Sequence, residues 1–320
     1  GYLAPHLDDA IAEGRVWRVH AMRRTLWVVG DHEVGTLDAA VGASIAEKER
    51  KRFAGWLPDD VDLAGVEDAV VEVVRENPGI ATRELSTLVP VLARRITMGT
   101  GKWAAEAALG SRLLMILAFD LRLARGAPAG SWKSSQYGWY VPRDVERPGP
   151  RQARAALVRR YVERFGPVTE TDVKWYTGLS VRQTREALGD AGAIEVAIEG
   201  GTAWDAPDAP EPAATSGGSL LPGLDPTPMG YKERSWFLGE HEGRLFDRNG
   251  NIGPTLWVDG RIVGGWAVTS DARVVLHPLE AVGSGAMDAL RAEAAVVEGW
   301  LQGVSVTPRF RTPLEKELTD

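Results

Sequence analysis

Apolar residues recur every three to four positions at Ala153, Leu157, Tyr161 and Phe165, with Val158 and Val162 alongside. That stripe predicts a helix, and Gly166-Pro167 ends it. Thr169 precedes a second helix with Asp172 three residues on, the spacing of an N-terminal cap, and this helix ends near Gly178. Ser180 opens a third helix in the same way with Gln183, and the period turns Val181, Thr184, Leu188 and Ala191 inward. Two short apolar runs, 193–198 and 202–204, flank Glu199-Gly200-Gly201 and should pair as a hairpin. Three helices followed by a hairpin predict a winged helix over residues 147–207. Such a unit offers its third helix to a DNA major groove and its wing to the backbone or minor groove.

The pattern earlier in the chain is a variation on this one. Residues 7–14 predict a short helix closed by Gly14, followed by strands at 16–20 and 25–29 around a turn at 21–24. This resembles the last helix and wing of a first winged helix, so further residues are expected upstream of Gly1. A helix is expected over 36–57, with KERKR at 48–52 on an exposed face, and Pro58-Asp59-Asp60 breaks it. The first domain is thus 1–58.

A second cycle occupies 59–146. A helix over 63–75 carries Val66, Ala69, Val70 and Val73 on one face; Asn77-Pro78-Gly79 breaks it and Thr82 opens another. ENPGIATRELSTLV and RFGPVTETDVKWYTGL share this order of break, cap and helix, about 88 residues apart. A long helix is then expected over about 101–119, through Ala105, Ala108, Leu109, Leu113, Ile116 and Leu117. A wing pairs 121–124 with 137–141 across the long loop GAPAGSWKSSQ.

The Pro-, Ala- and Ser-rich stretch after Trp204 predicts a linker at 208–218. Beyond it, 219–320 changes character. LLPGLDP predicts a short buried strand, 254–258 and 261–266 a hairpin around Asp259-Gly260, and 273–277 a third strand. A helix over 284–301 buries Met287, Leu290, Ala294, Val297 and Leu301. The expected fold is therefore mainly α with β-wings (α+β): tandem winged-helix domains followed by a small C-terminal α+β domain.

Composition narrows the function. A chain of 320 residues with 44% hydrophobic content has ample material for two to four packed domains. No apolar run reaches membrane-spanning length, so no membrane partner is expected, and the chain is expected to be a cytoplasmic monomer. With no cysteine and five scattered histidines, no metal and no cofactor are expected. A net charge of −7 argues against non-specific nucleic-acid binding by the whole surface, but it is compatible with a basic patch on one face.

Several such patches are legible. Arg15, Arg18, Arg23 and Arg24 cluster in the first hairpin with no acid between them. They either track a phosphate backbone or form a solvated face. His20, in the same hairpin, reads as a structural hydrogen-bonding residue. Lys133, Ser134, Ser135 and Gln136 lie beside Trp132, Tyr137 and Trp139. These residues suit phosphate contact with base stacking, or else form a wing whose aromatics pack back. Arg182 and Arg185 project from the expected recognition helix. Lys232, Arg234 and Arg248 read as phosphate contacts or rim salt bridges. Asp225, before Pro226, reads first as a turn initiator and second as an acid near a channel.

HAMRRTLWVV, GSWKSSQYGW, LLPGLDPTPMGYKERSW, LFDRNGNIGPTLWVDGRIVGGW and VTPRFRTPLE, in that order, resemble the AlkZ/YcaQ family of winged-helix DNA glycosylases. The resemblance spans almost the whole chain. It implies three tandem winged helices and a β-rich C-terminal domain around duplex DNA. The implied activity is removal of alkylated bases, bulky or crosslinked ones included, by hydrolysis of the N-glycosidic bond. In the family a Gln-x-Gln or Gln-x-Asp motif, ahead of the segment matching HAMRRTLWVV, carries the chemistry. Here Gln136, Gln152, Gln183 and Gln302 each stand alone. The motif either lies upstream or has been lost, and no catalytic residue is carried over. The alternative is a non-catalytic winged-helix DNA-binding or regulatory protein.

Overall fold

The computed structural model describes residues 3–99, 101, 104–210 and 217–320. The chain forms two compact units, one of residues 1–160 with 177–192 and the other of residues 161–176 with 193–320.

The first unit opens with α1 (Ala4–Ala12) and the hairpin β1 (Val16–His20) and β2 (Leu26–Gly30), paired Val16 to Gly30 and His20 to Leu26. Between the strands, Arg23 and Arg24 both adopt left-handed backbone, with φ of 54° and 64°. Side chains with a Cβ rarely do so, and here it turns the chain in a single 3₁₀ step.

Next come α2 (Asp31–Leu37), a π-helical stretch over Asp38–Gly42, and α3 (Ala43–Ala54). The expected helix over 36–57 therefore begins five residues early and is interrupted. Gly30, Asp31 and Gly35 look like breakers in sequence. Asp31 and Glu33 instead favour the helix N-terminus by charge. Gly35 is needed for contact, since a Cβ there would lie 1.8 Å from the Glu146 carbonyl oxygen.

Helix α4 (Leu63–Glu76) is capped by Asp62, whose carboxylate accepts from the Gly65 N–H at 3.2 Å. Its buried face is Glu67, Val70, Val71 and Val74, one step round from the expected stripe, and Ala69 is exposed. The pattern was displaced because a carboxylate occupies an inward position. Glu67 is tolerated there because Arg50 and Arg122 both pair with it. Helix α5 (Thr82–Leu88) opens at Thr82 as expected, preceded by an unexpected two-residue strand β3 (Ile80–Ala81).

Residues 101–119 are not one helix. Strands β4 (Arg95–Met98) and β5 (Ala105–Ala108) pair first, and α6 (Leu109–Phe119) begins only afterwards. AEAA has helix propensity, but four residues of cross-strand hydrogen bonding override so weak a preference. Thr100, Lys102 and Trp103, in this connection, lie outside the described residues.

The following wing is shifted by several residues. Leu123 drops into the core at 1% exposure, and β6 (Ala124–Pro128) starts where the strand was expected to end. It pairs Ala124 with Tyr140 of β7 (Tyr137–Tyr140), and β7 also pairs with β3. Phe53, Val70, Leu85, Leu113, Leu117 and Trp139 form the centre of this core.

The sequence then runs through α7 (Pro150–Phe165), α8 (Glu170–Thr177) and α9 (Val181–Ala191), close to the expected bounds. Ser180 and Gln183 form the capping box, and Thr184 and Leu188 are buried. Val181 is 39% exposed, because it occupies the first helical position, outside the stripe of Thr184, Ala187, Leu188 and Ala191.

The second unit contains the hairpin β8 (Ile194–Ile198) and β9 (Gly201–Asp205). Part of the expected linker, 211–216, lies outside the described residues. A four-stranded antiparallel sheet then forms in the order β10 (Gly218–Leu221), β11 (Thr255–Val258), β12 (Arg261–Val268) and β13 (Val274–Pro278). Strand β10 was expected to be buried; it is an edge strand and only half covered. Three one-turn helices interrupt the sheet: α10 (Pro226–Met229), α11 (Ser235–Leu238) and α12 (Glu242–Leu245). Asp225 caps the first, accepting from the Thr227 N–H at 2.8 Å, so the turn reading of that acid holds. Helix α13 (Ser284–Leu301) covers the sheet through Leu290, against Leu256, Val263 and Trp266. Helix α14 (Pro313–Thr319) went unread in the sequence, although Thr312 and Glu315 form a capping box. Among the described residues, no helix is long and apolar enough to cross a membrane.

Candidate nucleic-acid interface

Two cationic centres stand out, one in each unit. The first joins β1 to β6 and β7. Arg18 leaves β1 inward and donates from Nη1 to the Gly126 carbonyl at 2.9 Å. Its guanidinium carbon lies 5.3 Å from the Tyr137 ring centroid. Arg125, from β6, lies 5.0 Å from the same ring and 5.6 Å from the Trp139 ring. Cation–π attraction holds both guanidinium groups against the aromatic faces. The Arg125 Nε is buried and has no acceptor. Burial pulls both arginine pKa values below the ordinary range. Tyr137 opposes this in each case, the Asp8 charge also opposes it at Arg18, and Arg18 adds repulsion at Arg125.

His20 completes the cluster. Its ring packs 4.6 Å from that of Phe119, and its Nδ1 is buried with no partner. The structural hydrogen bond expected of this residue is therefore absent at Nδ1. Burial first, then the charges of Arg125 and Arg18, lower its pKa to about 4. It is neutral at physiological pH, where its free nitrogen cannot be a cation.

The remaining residues of this centre are more exposed. Arg24 lies 3.3 Å from Glu49, a carboxylate that also pairs with Arg52. Arg23 is half-buried in the turn. Lys133, Ser135 and Gln136 are exposed in the loop between β6 and β7, where the Gln136 N–H donates to Ser134 Oγ at 3.1 Å. Tyr137 and Trp139, in contrast, belong to β7 and pack inward, edge to face at 5.3 Å. The loop thus keeps its polar donors outside and turns these two aromatics in. Arg182 and Arg185 are exposed on α9, the former bonded to Glu186 at 2.9 Å.

The second centre is the segment from Gly230 to Arg234. Asp172 of α8 is 2% exposed. Its Oδ2 accepts from the Thr169 N–H and hydroxyl, and its Oδ1 from the backbone N–H groups of Lys232 at 2.7 Å and Glu233 at 2.9 Å. The cap seen in sequence thus also anchors a segment sixty residues on. Tyr161 donates to the Gly230 carbonyl and Tyr231 to the Phe165 carbonyl, each at 2.7 Å. Burial pushes the Tyr231 pKa up to about 12, with the Asp172 charge adding to it. Fixed this way, Lys232 projects outward. Arg234 lies between the Trp175 and Phe246 rings at 5.3 and 4.8 Å, its Nη1 buried with no acceptor. Trp236 beside it is 61% exposed.

Sequence reasoning found Arg18, Lys232 and Arg234 but missed Arg125 and the anchoring role of Asp172. Arg125 was hidden because the wing was placed too early. Its signal was an arginine between Ala124 and Gly126, an odd charge in an otherwise uncharged strand.

Fold and site together define a mixed helix-and-sheet protein with partly buried cationic centres clasped by aromatic rings. The chain belongs to the AlkZ-like DNA glycosylase family, whose model matches residues 1–300. An interstrand DNA cross-link repair glycosylase of Streptomyces sahachiroi is 29% identical, over 94% of this chain and 83% of that protein. The solved structure of the Streptomyces sahachiroi DNA glycosylase AlkZ is similar in fold, with a TM-score of 0.69 at 22% identity, covering 94% of this chain and 83% of that one.

Proposed function

We propose that this chain binds duplex DNA carrying alkylated bases, bulky or crosslinked ones included, and acts there as a monofunctional glycosylase. Family membership supports the chemistry. The observation that carries the DNA partner is the Arg18–Arg125 pair, two guanidinium groups side by side on one aromatic ring and, among the described residues, in no ion pair, in a protein whose net charge is −7. In the reaction, water adds at the sugar C1′ while the base leaves with the bonding electrons. A base alkylated to a cation is already a good leaving group. The protein must therefore position the water and stabilise an oxocarbenium-like sugar.

The proposed architecture is three winged helices, 1–58, 59–146 and 147–207, a linker at 208–218 and an α+β domain at 219–320. On this reading Arg23, Arg24, Lys133, Ser135 and Gln136 meet the backbone from two wings. Arg182 and Arg185 approach from the recognition helix, and Lys232 and Arg234 from the C-terminal domain. The protein works as a cytoplasmic monomer.

A second reading is favoured by one feature of these 320 residues, the absence of any Gln-x-Gln or Gln-x-Asp. It is a DNA-binding protein with the family scaffold and no hydrolysis. Incubating residues 1–320 with a duplex containing N7-alkylguanine, and quantifying free base and abasic sites, separates the two. Release of base establishes hydrolysis by these residues; tight binding with no release establishes that residues 1–320 bind without hydrolysing, wherever a glutamine motif lies.

A further inference from the structure

A cavity of about 430 Å³ opens between β1 and β6, bordered by Trp17, Arg18, Arg125, Gly126, Tyr140 and Arg143. Arg18, Arg125 and Arg143 line it together with Glu13; among the described residues Glu13 pairs with Arg15 and Arg143 with Asp31, while Asp8 acts on Arg18 through its charge alone. Arg18 spends one of its five donors on a carbonyl, and Arg125 has no hydrogen-bond acceptor for its buried Nε. Gly126 lets the Tyr140 ring close against the backbone at the cavity wall, since a Cβ there would lie 2.5 Å from that ring. Two like charges, desolvated side by side, are costly. Their pairing on one aromatic ring leaves guanidinium donors that suit an anion between them. The forked donors of arginine fit a phosphate oxygen pair.

We propose that the Arg18–Arg125 cavity is a phosphate-oxyanion site that takes one phosphodiester of a bound DNA strand, held between the two guanidinium groups. The assignment of DNA as the source rests on the reading above; the oxyanion chemistry does not. The phosphate would supply the acceptors that the protein withholds. Tyr137 and Trp139 would fix the guanidinium planes, and His20, held neutral near both arginines, would add no charge.

The test compares wild type with Arg125→Met, which keeps the stem on the rings and removes the charge, and with Arg125→Lys. Each is assayed for melting temperature with and without inorganic phosphate, and for duplex affinity across a salt series. Arg125→Met should melt no lower than wild type, because it removes a desolvated charge. It should bind duplex about tenfold or more weakly, with a salt slope reduced by about one. Arg125→Lys should lie between. Wild type that binds duplex, with Arg125→Met unchanged in affinity and slope, overturns the site while leaving the DNA reading intact. If wild type fails to bind duplex, inorganic phosphate decides. A phosphate-induced rise in melting temperature that Arg125→Met abolishes supports a free-phosphate site, and no rise overturns it. An Arg125→Met protein that melts far below wild type assigns Arg125 to structure and also overturns it. Arg18→Gln, read in the same assays, guards against a peculiarity of one substitution.

Discussion

His20 shows how one residue can be legible in type and wrong in role. A histidine flanked by Val19 and Ala21 suggests a buried, bonded ring, yet its Nδ1 has no partner and its charged neighbours are Arg18 and Arg125. Its folded pKa of about 4 is depressed from 6.5. The unfolded chain therefore binds the proton more tightly, and stability falls as pH drops from about 6.5 to about 4. Above 6.5 the residue adds no pH dependence. The ceiling is about 3 kcal/mol from the size of the shift. Urea unfolding in phosphate-free buffer should show wild type losing more stability between pH 7 and pH 4.5 than His20→Gln. Equal losses would mean that His20 is not held neutral by its surroundings. Glu67 is the converse case: a charge on the inward face of α4, where its partners Arg50 and Arg122, distant in sequence, allow it to sit. Such pairings carry no local signature.

At the scale of elements, capped helices and tight hairpins were readable. Thr169 with Asp172, Ser180 with Gln183, and Asp259-Gly260 each satisfy backbone groups within a few residues, so the sequence contains the whole interaction. The elements misplaced were those fixed from afar. Strand β5 exists because Arg95–Met98 pairs with it, and β6 starts late because Leu123 is claimed by the core. Helix α2 carries Gly35 inside it, packed against the Glu146 carbonyl. Glycine to alanine inside a helix ordinarily stabilises by about 0.5–1 kcal/mol. Here the sign should reverse, since the new methyl would meet the Glu146 carbonyl. Gly35→Ala is expected to cost about 2–3 kcal/mol by overpacking, measured as a lower urea midpoint. A gain in stability would show that the segment around Glu146 does not press on α2.

At the scale of the whole molecule, family and fold class were legible in long ordered motifs, whereas the cationic centres were only partly so. An acidic chain that gathers Arg15, Arg18, Arg23 and Arg24 in its first hairpin would concentrate any affinity for polyanions at few points. The family match and the shared fold make DNA the polyanion to test. The most direct measurement is equilibrium binding of residues 1–320 to an alkylated duplex over a range of salt, for wild type and an Arg23→Gln/Arg24→Gln double variant. Binding should weaken steeply with salt, and the double variant should bind more weakly with a slope smaller in magnitude by up to about two. Absence of salt-dependent duplex binding by the wild type at low ionic strength would contradict DNA as the partner of this surface.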